Sequence, residues 1–102
     1  MIFDRYFEIN DDVLEYIERN NGIEYNLQKA SEEFQELALV LLQKSLKPYK
    51  VQDQEIIDEM GDSIIRLYAL FSMFDRDLVG DRVAYKINKY RELIKEKQNV
   101  QI

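Results

Sequence analysis

Cysteine and histidine are both absent from this chain of 102 residues. Without cysteine the chain forms no disulfide and offers no thiolate nucleophile or metal ligand. Without histidine it cannot build a Ser-His-Asp triad, a zinc site with imidazole ligands, or a di-iron site of the Glu-x-x-His type. Any acid–base or metal chemistry must therefore use carboxylates, lysine, tyrosine or arginine.

Glycine and proline are scarce, with three glycines and a single proline, Pro48. These residues mark the turns of β-rich folds, so their scarcity disfavours such a fold. Leucine, isoleucine, glutamate, lysine and glutamine are abundant, and most of them are good helix formers. The length is that of one domain. The sequence predicts a single all-α domain covering residues 1–102.

Basic charge and long apolar runs are also lacking. The formal net charge is −6, which disfavours nucleic acid as a partner because phosphate binding requires clustered basic residues. No apolar run is long enough to span a bilayer, and charges interrupt the N-terminal segment 1–6, unlike a signal peptide. We expect no membrane partner and a cytoplasmic location.

Apolar periodicity and stop signals predict four helices, at about 11–20, 26–46, 53–74 and 78–97. Gly22 is suited to end the first helix, and Pro48 follows the second. Asp77 is the expected cap of the fourth helix.

Apolar residues lie on more than one side of the predicted third helix. Its main stripe contains Ile57, Met60, Ile64, Leu67, Tyr68 and Phe71. Ala69 and Met73 lie on the other side, and Asp62 points nearly away from the stripe. A helix that is apolar on two sides is buried on two sides. Together with the aromatic N-terminus (Phe3, Tyr6 and Phe7), this predicts an oligomer.

Two acidic patterns lie on consecutive helices. The first is E-E-x-x-E, with Glu32, Glu33 and Glu36, and the second is E-x-x-D, with Glu59 and Asp62. Residues three apart share a helix face, so packed helices could bring these carboxylates together as ligands for Mg²⁺. The alternative is an ordinary solvated helix face. Residues 55–58 form a second E-x-x-D run, and spacing alone cannot choose between the two.

The predicted fourth helix is basic, with Lys86, Lys89 and Arg91 among its charged residues. These side chains could contact phosphate groups. They could equally complement the helix dipole and keep the protein soluble.

The acidic patterns, their spacing and the basic helix resemble the MazG family of all-α nucleoside triphosphate pyrophosphohydrolases. The resemblance covers about residues 25–95 and favours Glu59–Asp62 over the earlier run, because Gly61 precedes Asp62 in the family manner. It implies a four-helix MazG-like bundle that forms a homodimer or homotetramer. It also implies Mg²⁺-dependent hydrolysis of an NTP or dNTP to the monophosphate and pyrophosphate, for nucleotide-pool housecleaning, with Mn²⁺ as a possible substitute.

The resemblance also implies roles for individual residues. The metal ligands would be Glu33, Glu36, Glu59 and Asp62, and the catalytic residues Glu32 and Glu33, with Glu32 holding a further metal or orienting the attacking water. Phosphate contacts would come from Lys86, Lys89 and Arg91. Candidates for contact with the nucleoside are Tyr25, Asn26, Gln28 and Lys29.

A second function remains open from the sequence. The chain could be a catalytically silent helical bundle that acts as a protein-interaction module. The complete set of four acidic residues argues against this alternative, because a silent protein could lose any one of them without harm.

Overall fold

The structure is a computed structural model that describes residue 7 and residues 9–100. Within these residues the chain forms four helices and no strand. The segment Asp11–Leu46 is helical except at Gly22, which divides it into α1 (residues 11–21) and α2 (residues 23–46). Helix α3 spans Asp53–Leu70 and helix α4 spans Arg76–Val100. The prediction of an all-α protein is confirmed.

Gly22 separates the first two helices, as predicted. Its φ of 74° and ψ of 169° lie in a region that glycine adopts without steric cost. The buried side chain of Asn26 donates hydrogen bonds to the carbonyl oxygens of Ile17 at 3.1 Å and Gly22 at 2.8 Å. Because these bonds satisfy carbonyls at the end of α1, α2 follows without a loop and begins three residues earlier than predicted.

The connection between α3 and α4 differs from the prediction. Helix α3 ends at Leu70 rather than near Phe74, because the following residues form turns. The cap of α4 is Asp75, whose Oδ1 accepts hydrogen bonds from the backbone amides of Asp77 at 3.0 Å and Leu78 at 3.1 Å. The prediction of Asp77 as the cap was wrong, because that residue lies within the first turn of α4.

Helices α2 and α3 form an antiparallel pair. Ser63 of α3 is buried, and its Oγ donates a hydrogen bond to the carbonyl oxygen of Glu33 at 3.3 Å. Ala30 of α2 and Ala69 of α3 are also buried. Residues of the predicted α3 stripe lie to one side of this contact, so that Ile57 is 57% exposed and Met60 47% exposed. The helix pair therefore leaves apolar surface uncovered within the chain.

Helix α4 packs against neither α2 nor α3 in the described part of the chain. Only its first residue reaches back, where Arg76 donates a hydrogen bond to the Tyr68 hydroxyl at 3.1 Å and lies over the Tyr68 and Phe71 rings. The radius of gyration is 17.4 Å, compared with about 13 Å for a compact domain of this length. The described fold is thus a packed helix pair with an extended fourth helix.

No helix among the described residues is both long enough and apolar enough to cross a membrane. The predicted packing of Phe3 and Tyr6 lies outside the described residues.

Candidate metal centre

Three carboxylates from two helices converge on one point. Glu33 of α2 and Glu59 and Asp62 of α3 each place one oxygen within 4.8 Å of the others. Glu59 and Asp62 are neighbours on the side of α3 that faces α2, because they are three residues apart. Ser63 brings the backbone of Glu33 close to this side of α3. The cluster is therefore a direct consequence of how the two helices pack.

Two oxygens of this cluster are buried without a partner. Within the described residues, Glu33 Oε2 and Glu59 Oε2 are shielded from solvent and accept no hydrogen bond from the protein. Leaving a buried charged oxygen without a partner is costly. A divalent cation bound between the carboxylates would satisfy both atoms, since hard cations prefer oxygen ligands. The residues present therefore fit a Mg²⁺ or Mn²⁺ site.

Lys29 lies one turn before the acidic residues of α2. Its Nζ is 3.3 Å from Glu32 Oε1 and 3.4 Å from Glu33 Oε1. Hydrogen bonding to Glu32, the charge of that carboxylate and a hydrogen bond to Glu33 hold the pKa of Lys29 above its usual value. The spacings of three and four residues favour such ion pairs on a helix. Lys29 is thus a positive charge at the edge of the cluster. From the sequence, Lys29 was predicted to contact the nucleoside.

Glu36 lies beside the cluster and is exposed. Glu36 was predicted as a metal ligand, but it does not belong to the group of oxygens within 4.8 Å. The charge of Glu33, reduced hydration and the charges of Glu59 and Glu32 raise the pKa of Glu36 above its ordinary value. Its carboxylate is therefore exposed to the same concentration of negative charge as the cluster.

The structure distinguishes the two E-x-x-D runs of α3. Asp58, the acid of the earlier run, is exposed and its Oδ1 accepts a hydrogen bond from Gln54 Nε2 at 2.7 Å. Glu59 and Asp62 face α2 instead. Of the two runs, the second supplies the carboxylates that meet Glu33.

An open groove of about 780 Å³ runs along α2 and is lined by residues of that helix alone. Gln28, Glu32 and Glu36 line this groove, together with Leu27, Ser31, Gln35 and Leu39. Two residues predicted for different roles, Gln28 for nucleoside contact and Glu32 for catalysis, therefore share one surface. None of the three converging carboxylates lines the groove.

The remaining predicted nucleoside residues lie at the start of α2. Tyr25 is exposed, whereas Asn26 is 2% exposed and uses its amide group within the protein. Besides its two bonds to backbone carbonyls, Asn26 accepts a hydrogen bond from Arg66 Nη1 at 3.4 Å. The described contacts of Asn26 connect α1, α2 and α3, and its role in nucleoside contact stays a prediction.

The predicted phosphate-binding residues Lys86, Lys89 and Arg91 are exposed on α4. Lys89 Nζ lies 5.6 Å from the centre of the Tyr85 ring. Because α4 packs against neither α2 nor α3, the described part of the chain does not bring these residues to the carboxylates. Their contact with phosphate stays a prediction.

Gly61 lies between Glu59 and Asp62. No described atom lies within 4 Å of the position that a Cβ on Gly61 would occupy, outside its immediate helical neighbourhood. The described residues therefore make no close approach to Gly61.

No known family model, curated protein or solved structure matches this chain. Membership of the MazG family is therefore not shown. The function must be argued from the geometry of the carboxylates themselves, because a helical fold alone does not identify an activity.

Proposed function

We propose that this protein is a Mg²⁺-dependent nucleoside triphosphate pyrophosphohydrolase that converts an NTP or dNTP to the monophosphate and pyrophosphate. The observation that carries this proposal is the convergence of Glu33, Glu59 and Asp62 within 4.8 Å. The buried, unpartnered oxygens of Glu33 and Glu59 support it independently of sequence pattern. The MazG-like spacing of the two acidic motifs supplies the reaction class.

In this proposal Glu33, Glu59 and Asp62 hold the divalent cation, and Glu36, whose pKa is raised by the charges of Glu33 and Glu59, is the proposed fourth ligand. When bound, the cation polarises phosphoryl oxygens and offsets their negative charge. The carboxylates repel a polyphosphate in the absence of a cation, so substrate binding without metal is unfavourable. We therefore expect hydrolysis to depend completely on Mg²⁺ or Mn²⁺.

Glu32 is the proposed general base. Its carboxylate is exposed at the groove, where the ammonium group of Lys29 holds it next to Glu33. A water molecule attacks one phosphorus of the α–β anhydride and loses its proton to Glu32, while the bond to the bridging oxygen breaks. The products are the monophosphate and pyrophosphate. The nucleoside would lie along the groove that Gln28 and Glu32 line.

The test is release of pyrophosphate from a panel of NTPs and dNTPs, measured with Mg²⁺ and again with EDTA. Wild-type protein should release pyrophosphate only with Mg²⁺, and Glu59→Gln should be inactive. Glu92→Gln, an equivalent change at an exposed position of α4, should retain full activity. Hydrolysis that persists in EDTA, or that survives Glu59→Gln, would contradict the proposed site.

The alternative is a catalytically silent interaction module, and the unpacked helix α4 is the observation that favours it. The two functions give different results in the same experiment. A silent module would show no pyrophosphate release with any nucleotide, even if Mg²⁺ raised its melting temperature.

A further inference from the structure

Helix α4 has an apolar stripe that nothing in the described chain covers. At about 100° per residue, Val83, Ile87, Tyr90 and Ile94 fall within one narrow sector of the helix. Between 45% and 63% of the surface of each residue is exposed. A stripe of this kind is the part of an amphipathic helix that normally packs against another element. In this chain α4 packs against neither α2 nor α3.

The α2–α3 pair has an uncovered apolar surface of its own, which we call the apolar face. It is defined by Leu27 and Leu41 of α2 and by Ile57 and Met60 of α3, all of them more than two-fifths exposed. Helical periodicity places these residues on the same side of the antiparallel pair. A groove of about 400 Å³, lined by Leu27, Phe34 and Leu70 among others, adjoins Leu27. The apolar face thus includes residues of both helices.

The chain cannot bring its own α4 onto this face in the arrangement described. Asp75 caps the first turn of α4, and Arg76 is held over the rings of Tyr68 and Phe71. These contacts fix the beginning of α4 to the end of α3 and direct the rest of the helix away from the pair. No described element of the chain therefore covers either the apolar stripe or the apolar face.

The two uncovered surfaces contain eight large apolar side chains, four on the stripe and four on the face, and each is more than two-fifths exposed. Removing apolar side chains from water is the main driving force for protein association.

Charge identifies the partner as another copy of this chain. Residues 76–100 contain seven basic and four acidic residues, a net charge of +3, and the remaining residues contain seven basic and sixteen acidic, a net charge of −9. The basic residues Lys86 and Arg91 lie on either side of the apolar stripe. Helix α4 therefore complements the acidic α2–α3 pair in both apolar surface and charge.

We propose that the chains pair by exchanging α4, with the apolar stripe of one copy packed on the apolar face of another. This pairing does not depend on the proposed enzymatic function. The carboxylate cluster opens on the opposite side of the α2–α3 pair, since Asp62 and Glu36 lie on the other side of the helix contact from Met60 and Leu41. Disrupting the pairing and disrupting metal binding are therefore separable experiments.

Sedimentation of full-length variants at micromolar concentration tests the pairing. Wild-type protein should be a dimer or larger. Ile87→Lys in the stripe and Met60→Lys in the face should each weaken association by roughly 30-fold or more, as expected for a buried hot-spot residue. Ile65→Lys is the matched control, because Ile65 is 41% exposed on a different side of α3, and this variant should associate like wild type.

Each variant should keep its helix content and its stabilisation by Mg²⁺, which separates lost association from misfolding. A wild-type chain that sediments as a monomer at 100-fold higher concentration overturns the proposal. So does an Ile87→Lys variant that associates normally, or a monomer whose α4 binds anionic lipid vesicles instead.

Disulfide trapping tests the exchange directly, because the chain has no cysteine of its own. Met60→Cys is made in one chain and Ile87→Cys in a second chain of different length, and the mixture of the two is oxidised. A disulfide that joins the two different chains is expected, whereas pairing Met60→Cys with a chain carrying Asn88→Cys should give far less. If a chain that carries both Met60→Cys and Ile87→Cys instead forms the disulfide within itself, α4 folds back on its own helix pair and the proposal is wrong.

Discussion

Replacing the carboxylate of Asp62 separates the candidate metal centre from an ordinary acidic surface. Helix α3 offers a matched control, because Asp58 has the same residue type and exposure one turn earlier and lies outside the cluster. Asp62→Asn and Asp58→Asn remove the same charge, and both leave the shape of the side chain almost unchanged. Any difference between the two variants therefore reports on the position of the charge.

The expected effect on the metal-free protein follows from Coulomb's law. Two charges 4.8 Å apart, the upper limit of the oxygen separations here, repel by about 0.9 kcal/mol in water. Because Asp62 is exposed and faces both Glu33 and Glu59, Asp62→Asn should relieve about 1–2 kcal/mol before screening by salt. At about 4–8 °C per kcal/mol for a domain of this size, the melting temperature should rise by several degrees.

The expected effect of Mg²⁺ has the opposite sign. A ligand at 100 times its Kd stabilises the folded state by about 2.7 kcal/mol. Wild type and Asp58→Asn should both gain this stabilisation, whereas Asp62→Asn should lose most of it because one of three converging ligands is gone. In the same preparations Asp62→Asn should abolish Mg²⁺-dependent pyrophosphate release, and Asp58→Asn should keep most of it.

The measurements are melting curves by circular dichroism at one protein concentration, in EDTA and with increasing Mg²⁺, together with the pyrophosphate assay. The reasoning is refuted if Asp62→Asn lowers the melting temperature in EDTA and responds to Mg²⁺ like wild type. If Asp58→Asn abolishes activity and Asp62→Asn does not, the metal centre has been placed one turn too far along α3.

Three further predictions concern residues around the site. Alanine at all three basic positions of α4, Lys86, Lys89 and Arg91, should lower kcat/KM for the nucleotide without unfolding the protein, because all three residues are exposed. Unchanged kinetics would show that these residues contribute only to solubility. Asn26→Ala should destabilise the protein by about 1–3 kcal/mol in denaturant titrations, because one buried and one partly buried carbonyl lose their donor. An unchanged unfolding midpoint would show that those carbonyls find other donors. The pKa of Glu36 is raised chiefly by the charge of Glu33. Above that pKa, ionised Glu36 destabilises the metal-free fold, and this destabilisation disappears as the pH falls through the pKa. Glu36→Gln should therefore raise the melting temperature at pH 7 and leave it unchanged well below the ordinary pKa of glutamate; an equal effect at both values would contradict this origin.

The sequence by itself determined the helical class and most of the helix positions. Scarce glycine and proline excluded frequent turns, and Gly22 and Pro48 marked the two clearest boundaries. Local backbone preferences decide these features, so they can be read without knowing what each helix contacts. The acidic residues that converge were also identifiable, because their spacing on a helix is a local property.

Only the tertiary structure decided which sides of the helices meet. The longest apolar stripe of α3 pointed to Met60 and Ile57 as contact residues, yet both are about half exposed, and Ser63 makes the hydrogen bond to α2. Small side chains let two helices approach closely, and that approach depends on both partners at once. This rotation of α3 explains why Asp62, which points away from the stripe, faces Glu33.

The apolar periodicity of the sequence likewise could not predict the position of α4. Its apolar stripe is evident in the sequence, but a stripe shows only that a partner is needed and not which surface supplies it. The contacts of Asp75 and Arg76 at the start of α4 determine its direction, and they join residues on two helices across a turn. Periodicity describes one helix at a time, whereas the packing of helices depends on the shapes of two surfaces together.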